Sequence, residues 1–208
     1  MFTLRLLGSA SLDGPDGPVA GRAALRQRIA LLALLAVEHP RPLSRDSLVA
    51  SLWPESDTGD ARHLLRESLY LLRSALGDDS VLSTGDDLRL NPARFTCDLW
   101  EFEAALGGDD PERAVGVYHG PFLDGFHLSD GEEFEHWSDG ERSRLARRLW
   151  REVGTLREDG VRLEFIKLTR AIGLSGCTAL TSVSRVTPPA STRTHPLNGL
   201  APKKRRVS

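Results

Sequence analysis

The chain has 208 residues, 40% of them hydrophobic and 27% charged, and a formal net charge of -2 at pH 7. This length allows one or two domains with a substantial hydrophobic core. Its apolar runs fall far short of a membrane helix, which needs about 20 residues, and no basic, apolar leader opens the chain. We therefore expect a cytoplasmic protein that makes no membrane contact.

The charged residues are unevenly distributed. Residues 1–96 carry 11 basic and 12 acidic side chains, residues 97–164 carry 8 and 17, and residues 165–208 carry 8 basic side chains and none that are acidic. A nearly neutral segment can bind DNA only where its arginines are concentrated on one face. The first segment is therefore not expected to bind polyanions in general.

The N-terminal part of the chain predicts short strands followed by a helix. Alternating apolar residues predict a strand over residues 2–7, and a second strand over residues 9–12 leads through a Gly- and Pro-rich turn to a return strand at Val19. Apolar residues at helical spacing then predict a helix over residues 22–37, with Leu25 on its buried side. Its three arginines are expected to face solvent: Arg22, Arg26 and Arg28.

Residues 60–76 have the period and end signals of one amphipathic helix. Its apolar stripe consists of Ala61, Leu65, Leu69, Leu72 and Leu76. Asp60 or Thr58 is expected to cap the start, and Gly77 suits the end. The opposite face carries hydrogen-bonding side chains at Arg62, His63, Arg66, Tyr70 and Arg73. Guanidinium groups suit bidentate contacts to phosphates and guanine, so the pattern favours a DNA-binding helix, and the alternative is a solvated face with ordinary salt bridges.

A short helix and a hairpin flank this predicted helix. Ser44 is a good N-cap for the short helix, which ends at Trp53 because the proline that follows disfavours a helical conformation in the residue before it. After Gly77, β-like runs at residues 81–84 and 88–90 surround a Gly-Asp-Asp turn and predict a β-hairpin. Arg89 lies on its return strand.

This order and four sequence segments resemble the winged-helix DNA-binding domain of the OmpR/PhoB type, in the variant found in SARP-type regulators (Streptomyces antibiotic regulatory proteins). The segments are LVASLWPE at residues 48–55, ARHLL at 61–65, LYLLRSALG at 69–77 and GDDLRL at 85–90. The resemblance covers residues 1–96. It implies an α+β domain with a small N-terminal sheet, three helices and a C-terminal hairpin, the wing.

In proteins of this type the third helix enters the DNA major groove and the wing reaches the adjacent backbone or minor groove. Carried over position by position, the resemblance implies that the helix over residues 60–76 contacts bases. Its groove-facing candidates are Arg62, His63, Arg66, Tyr70 and Arg73, and the wing candidate is Arg89. Two of these residues have an alternative role. His63 is a solvent-exposed or packing residue instead of a base contact, and Tyr70 packs its ring against the wing instead of facing the groove.

Residues 97–164 are predicted to form an all-helical module. Apolar spacing predicts one short helix that includes Leu99, and an Asp-Pro pair suits the cap and first position of another. Residues 118–126 are too rich in Gly and Pro for a helix. A Ser-x-x-Glu capping box at Ser129 is expected to open a long helix.

The same region resembles the start of the bacterial transcriptional activator domain that follows the winged helix in SARP-type proteins. The matching segments are CDLWEF at residues 97–102, YHGPFLDGF at 118–126, and Trp137 followed by ERSRL at 141–145. The resemblance implies tetratricopeptide-like helix pairs, of which a truncated set is expected here. Helix pairs bury their apolar faces against neighbours. A shortened module is expected to expose apolar side chains and to self-associate through them: Leu149, Val153, Leu156 and Leu163.

The final segment, residues 165–208, is basic and rich in Ser, Thr and Pro. It has no apolar period and cannot bury enough surface to offset its ordering entropy, so we expect a largely disordered tail beyond Ser175. Its abrupt change in composition suggests a truncated or frame-shifted end. PKKRRV at residues 202–207 resembles a nuclear-localisation signal, but the likeness of the rest of the chain to bacterial regulators favours a basic tail that contacts phosphates.

The sequence contains no residues with the spacing of a catalytic or cofactor site. His119, His127 and His136 lie near several carboxylates, but no HExxH or similar metal motif is present, nor is a Gly-rich phosphate loop. The two cysteines, Cys97 and Cys177, lack metal-ligand spacing and are expected to be reduced structural thiols. We therefore expect a protein that is not an enzyme and needs no metal or cofactor.

Two functional hypotheses follow. The first is a sequence-specific transcriptional activator that binds double-stranded DNA at tandem direct repeats, self-associates there, and contacts RNA polymerase in the bacterial cytoplasm. The second is a non-catalytic protein-interaction scaffold in which the winged helix does not contact DNA bases. Binding to a pool of duplexes at rising salt separates them, because only the regulator should show a steep salt dependence and an enriched motif.

Overall fold

The computed structural model describes residues 1–129 and 131–155, and within them the chain forms seven strands and six α-helices. In chain order these are β1 (Phe2–Arg5), β2 (Ser11–Gly14), β3 (Gly17–Pro18), α1 (Arg26–Glu38), β4 (Leu43–Ser44), α2 (Arg45–Leu52), α3 (Thr58–Leu76), β5 (Val81–Thr84), β6 (Asp87–Leu90), β7 (Phe95–Cys97), α4 (Asp98–Gly107), α5 (Pro111–Val117) and α6 (Glu132–Thr155). A 3-10 turn over Gly21–Ala24 occupies the start of the helix predicted from residue 22.

The first sheet joins the N-terminal strand to a much later one. Its order is β3-β2-β1-β7, with β1 antiparallel to β2 and parallel to β7, so that Leu4 lies opposite both Leu12 and Cys97. Parallel neighbours require a long crossover, and here it contains α1, α2, α3 and the second sheet. The return strand was expected to begin at Val19, but β3 consists of Gly17 and Pro18 within the predicted turn. The sequence did not predict β7.

The second sheet contains the predicted hairpin and has the order β4-β6-β5. β5 and β6 pair antiparallel around Gly85, whose φ of 62° is readily adopted by glycine. Leu88 and Leu90 on β6 are buried, whereas Arg89 between them is exposed. Strand alternation therefore places Arg89 on the outer face of this sheet.

α1 is buried around almost its whole circumference, since residues 28–36 are all buried, and it packs against α2, α3, α4 and β6. Two expectations are therefore wrong. Arg28 does not face solvent: its Nη1 donates to the Arg22 carbonyl at 2.7 Å and its Nη2 lies 4.0 Å from the Glu67 carboxylate. Leu25 is 53% exposed, because it precedes the helix in an extended conformation.

α3 confirms the predicted leucine stripe. All five stripe positions are buried: Ala61, Leu65, Leu69, Leu72 and Leu76. The helix begins at Thr58, and Asp57 before it makes no side-chain cap hydrogen bond, so neither Asp60 nor Thr58 caps the helix as expected. Gly77 ends it as predicted with a φ of 100°, where a Cβ would also collide with the Arg94 guanidinium.

The three later helices share one hydrophobic core with the strands and α1–α3. Phe102 of α4, Phe122 in the following loop and Phe134 of α6 are fully buried in it. Leu149 of α6 is also fully buried, which corrects the expectation that it is exposed for self-association. The core supplied by this chain is sufficient to cover that part of α6.

The start of α6 differs from the prediction. The helix begins at Glu132, and the Gly131 carbonyl accepts the Glu135 N–H at 2.9 Å. The capping box expected from Ser129 would instead make Glu132 the third helical residue. The Gly131 carbonyl therefore accepts the hydrogen bond of the first helical turn, and Ser129 lies before the helix.

Several expectations fall outside the described residues. They concern the side chain of Val153, the residues Leu156, Leu163 and Cys177, and the segment 165–208. The division of the chain into three domains at residues 96 and 164 stays a prediction, as does the tetratricopeptide-like character of α4–α6. Among the described helices, none combines the length and apolarity needed to cross a bilayer.

The Asp98 carboxylate ties the first strand to α4. It accepts hydrogen bonds from the backbone N–H groups of Leu6 at 2.9 Å, Leu7 at 2.9 Å and Leu99 at 2.8 Å. Burial raises the pKa of Asp98, and the three N–H donors offset part of that rise. The end of β1 is therefore anchored by one side chain from α4.

Residues 118–126 form a second link to the end of β1. Its Leu123 N–H donates to the Leu6 carbonyl at 2.8 Å. From the other side, the Arg142 guanidinium of α6 donates to the Phe122 and Leu123 carbonyls at 2.7 and 2.9 Å. α6 is thereby held against the end of β1.

Asp98→Ala should lower the free energy of unfolding by about 2–4 kcal/mol, because the N–H groups of the buried residues Leu6 and Leu7 lose their acceptor. Chemical denaturation followed by circular dichroism measures this change. Glu101→Ala removes an exposed carboxylate from the same helical turn and should cost less than about 1 kcal/mol. Equal costs for the two variants would contradict the anchoring role of Asp98.

Candidate nucleic-acid interface

The outward face of α3 carries five of the side chains predicted to contact DNA. Arg62, His63, Arg66 and Tyr70 are exposed, and Arg73 is half-buried. The buried leucine stripe fixes this orientation, because rotation of the helix would expose leucines. α2 packs against α3 on one side, and β5 contacts α3 on the other.

An open groove of about 730 Å³ runs along this face. We call it the arginine groove; its charged and aromatic lining residues are Arg45, Arg62, Arg66, Tyr70, Arg73, Asp78 and Asp86. Guanidinium groups outnumber carboxylates there, so the groove is locally positive although the surrounding segment is nearly neutral. The structure thus brings together four of the six predicted residues.

Arg45 belongs to the arginine groove but was missed by sequence reasoning. Its backbone N–H donates to the Asp86 carbonyl at 3.1 Å, and its Nε lies 3.6 Å from the Asp86 carboxylate. Both contacts join the start of α2 to the turn of the hairpin. The predicted Ser44 cap is confirmed by a 3.1 Å hydrogen bond from the Ser47 N–H. The cap places Arg45 in the first turn of α2, but only the contact with the hairpin shows that its side chain faces the groove.

Arg62 is held by a partner on the neighbouring helix. Its Nη2 donates to Asp46 Oδ1 at 2.8 Å, although the two side chains are 55% and 66% exposed. This hydrogen bond and the Asp46 charge raise the pKa of Arg62. The pair therefore gives the guanidinium a preferred direction before any ligand arrives.

Arg66 is the least restrained arginine in the groove. It is exposed, and its Nε donates to the Arg62 carbonyl at 3.3 Å, a contact within its own helix. No carboxylate in the described part of the chain pairs with it. The rest of its guanidinium faces the groove and can meet phosphate or guanine.

Arg73 instead connects α3 to the hairpin. Its Nη2 donates to the Val81 carbonyl and to Ser83 Oγ, both at 2.8 Å, and its Nε donates to the same carbonyl at 3.2 Å. Most of its donors are therefore used inside the chain. Arg73 lines the groove, but its first effect is to set where β5 lies against α3.

The remaining predicted residues are placed differently. Tyr70 is 69% exposed and lines the groove, which favours contact with a ligand over packing against the hairpin. His63 is exposed but is not among the groove residues. Arg89 is exposed on the outer face of the hairpin sheet and is not among the groove residues.

Other reactive side chains in the described residues form no second site. His127 pairs with Glu135 at 3.2 Å, and no group of three or more His, Cys, Asp or Glu side chains within residues 1–129 and 131–155 is arranged to hold a metal ion. Cys97 is a buried free thiol, and burial raises its pKa. Its sulfur therefore behaves as a packing group.

These features define a mixed sheet-and-helix fold with an arginine-lined groove. The fold is similar to that of Mycobacterium tuberculosis EmbR, solved in complex with a low-affinity phosphopeptide, with a TM-score of 0.58 and 23% sequence identity. The match covers 82% of this chain and 50% of the EmbR chain. At this level of identity the likeness concerns the fold alone.

A sequence relative covers a shorter stretch. An uncharacterized 47.3 kDa protein encoded in the thcA 5′ region of Rhodococcus erythropolis is 34% identical over 109 residues. The match covers 50% of this chain and 22% of that protein. No protein-family model matches the sequence.

Arg73→Ala should lower the free energy of unfolding by about 1–3 kcal/mol, because the Val81 carbonyl and the Ser83 hydroxyl lose their donors. Arg66→Ala should change it by less than about 0.5 kcal/mol, as expected for an exposed side chain. Urea denaturation compares the two variants, and hydrogen exchange should be faster in β5 of Arg73→Ala only. Indistinguishable stabilities would show that Arg73 does not hold the hairpin.

Proposed function

We propose that this protein is a sequence-specific DNA-binding transcriptional regulator of the SARP type, an activator without catalytic activity, that places α3 in the major groove. The observation that carries the proposal is the exposed guanidinium face of α3, held outward by a fully buried leucine stripe. The EmbR-like fold and the sequence resemblance to winged-helix regulators support it.

The spacing along α3 suits base-pair contacts. Arg62, Arg66 and Tyr70 follow one another at intervals of four residues, which is about 6 Å along the helix axis. Base pairs in DNA are about 3.4 Å apart, so successive side chains can address positions about two base pairs apart. A helix with its side chains is about 10–12 Å wide, and the major groove is about 12 Å wide.

The groove residues divide into two proposed roles. Arg66 suits a bidentate contact to guanine, and the exposed ring of Tyr70 suits apolar contact with a thymine methyl. Arg45 and Arg73 use part of their donors inside the chain and suit phosphate contacts, which set the register of the helix on DNA. Arg89 and His63, beyond the groove lining, are proposed to contact the flanking backbone.

The resemblance to SARP-type proteins also supports the proposed assembly. The regulator would bind tandem direct repeats as two copies, in the cytoplasm of a bacterium, and contact RNA polymerase. Residues 97–164 carry 8 basic and 17 acidic side chains, so they repel DNA and favour contacts with proteins. The two copies are proposed to meet on DNA, since Leu149 is already buried within the chain.

One observation favours the alternative, a protein-interaction scaffold. Arg62 is paired with Asp46, and Arg73 is hydrogen-bonded to the hairpin, so two of the arginines on α3 already have partners. A solvated structural face would have the same appearance. Binding measurements decide between the two functions.

Selection from a random duplex library should enrich one motif, and Arg66→Ala should weaken binding to it by about 5- to 150-fold, because a base contact is lost. Arg41→Ala is the matched control: Arg41 is 79% exposed and outside the groove, so its loss should change affinity less than about threefold. Fluorescence anisotropy at several salt concentrations measures both. The absence of an enriched motif and of a salt slope would contradict DNA binding and leave the scaffold.

Selected sites should contain two half-sites in direct orientation, about one helical turn apart, because a head-to-tail pair of monomers repeats the same groove contact on one face of DNA. Footprinting and analytical ultracentrifugation on one-site and two-site duplexes test this arrangement. Inverted half-sites, or single-copy binding to every selected duplex, would rule out the head-to-tail pair.

A further inference from the structure

Asp46 stands out within the described residues as the acidic side chain that hydrogen-bonds an arginine of the exposed α3 face. It lies in the first turn of α2, and its Oδ1 accepts from Arg62 Nη2 at 2.8 Å. The pair therefore connects the two helices that border one side of the arginine groove. It places a carboxylate beside one of the guanidinium groups of the groove.

The pair is poorly suited to stabilise the fold. Both side chains are more than half exposed, at 55% and 66%, and exposed ion pairs contribute little to the free energy of folding. α2 and α3 already contact each other, and both contribute buried residues to the core, among them Leu48 and Leu65. The contact has more effect on the direction of the guanidinium than on the packing of the helices.

The geometry points to Asp46 as a positioning residue for DNA specificity: it turns Arg62 toward the base edges and opposes its capture by a phosphate. This inference rests on the proposed function. A guanidinium has five N–H donors on two edges, each of which presents two parallel N–H groups. One hydrogen bond from Nη2 to Asp46 occupies one edge and leaves the other for the O6 and N7 acceptors of guanine. The carboxylate also repels phosphate at short range, which disfavours the competing non-specific contact.

The test separates specific from non-specific binding. Arg62→Ala first identifies the base pair at which Arg62 discriminates in the selected motif. Asp46→Asn should then reduce discrimination at that base pair by about tenfold, while affinity for a scrambled duplex stays equal or rises. Asp60→Asn is the matched control: Asp60 is an exposed carboxylate in the first turn of α3, outside the groove lining and without an ion pair in the described chain, so its loss should leave discrimination unchanged.

A double variant tests whether Asp46 acts through Arg62. In the Arg62→Ala background, Asp46→Asn should cause no further loss of discrimination at the same base pair. Thermal melting confirms folding of each variant, and Asp46→Ser, another residue suited to the first turn of a helix, repeats the test if Asp46→Asn melts early.

Three results would overturn the inference: unchanged discrimination in Asp46→Asn, an equal loss in Asp60→Asn, or a further loss in the double variant. Each of these requires a wild-type protein that selects a motif. A wild-type protein without any motif is a separate outcome, because it refutes the proposed function itself and with it this role of Asp46.

Discussion

The Asp98 carboxylate joins parts of the chain that the sequence suggests are separate. It accepts N–H groups from Leu6 and Leu7 at the end of β1 and from Leu99 at the start of α4. β7 ends immediately before it and lies parallel to β1. The first strand therefore cannot be positioned without the residues that follow the hairpin, and one core extends from the first sheet to α6.

This continuity determines how α3 is presented. α1, buried nearly all round, packs against both α3 and α4. The leucine stripe of α3 then faces the core and its arginines face outward. Under the proposed function, a rigid support beneath α3 reduces the ordering cost of binding, since the side chains and not the helix must be ordered. The helices α4–α6 then contribute to binding through the core without lining the groove.

Local patterns were enough to predict α3 and the hairpin. The stripe from Ala61 to Leu76 repeats over several turns, Gly77 marks a helix end, and the β5–β6 turn contains Gly85, so each signal lies within a few residues of the element it defines. β7 is three residues long and depends on a partner at the other end of the chain, so no local pattern announces it. Arg28 was misplaced because α1 has no polar face, and period alone cannot assign a polar side.

The sequence predicted where the candidate site lies, but not the hydrogen-bond partners of its side chains. The stripe determines which arginines face outward, whereas their partners come from elsewhere: Asp46 for Arg62, and the hairpin for Arg73. The three arginines on this helix face therefore differ in their partners. Arg66 pairs with no carboxylate in the described chain, Arg62 is oriented by the Asp46 carboxylate, and Arg73 holds the hairpin against α3. Spacing along α3 contains no information about these differences.

The charge balance of the groove bears on selectivity under the proposed function. Its four guanidinium groups face Asp78 and Asp86 in the lining and Asp46 at the edge, so most of the positive charge is opposed locally. Non-specific affinity for DNA rises with uncompensated positive charge, and a genome offers about a million or more competing sites. A weakly positive groove limits that competition and makes binding depend on well-aligned base contacts. The carboxylates would weaken a general polyanion binder, but in a regulator that must find few sites they favour discrimination over affinity.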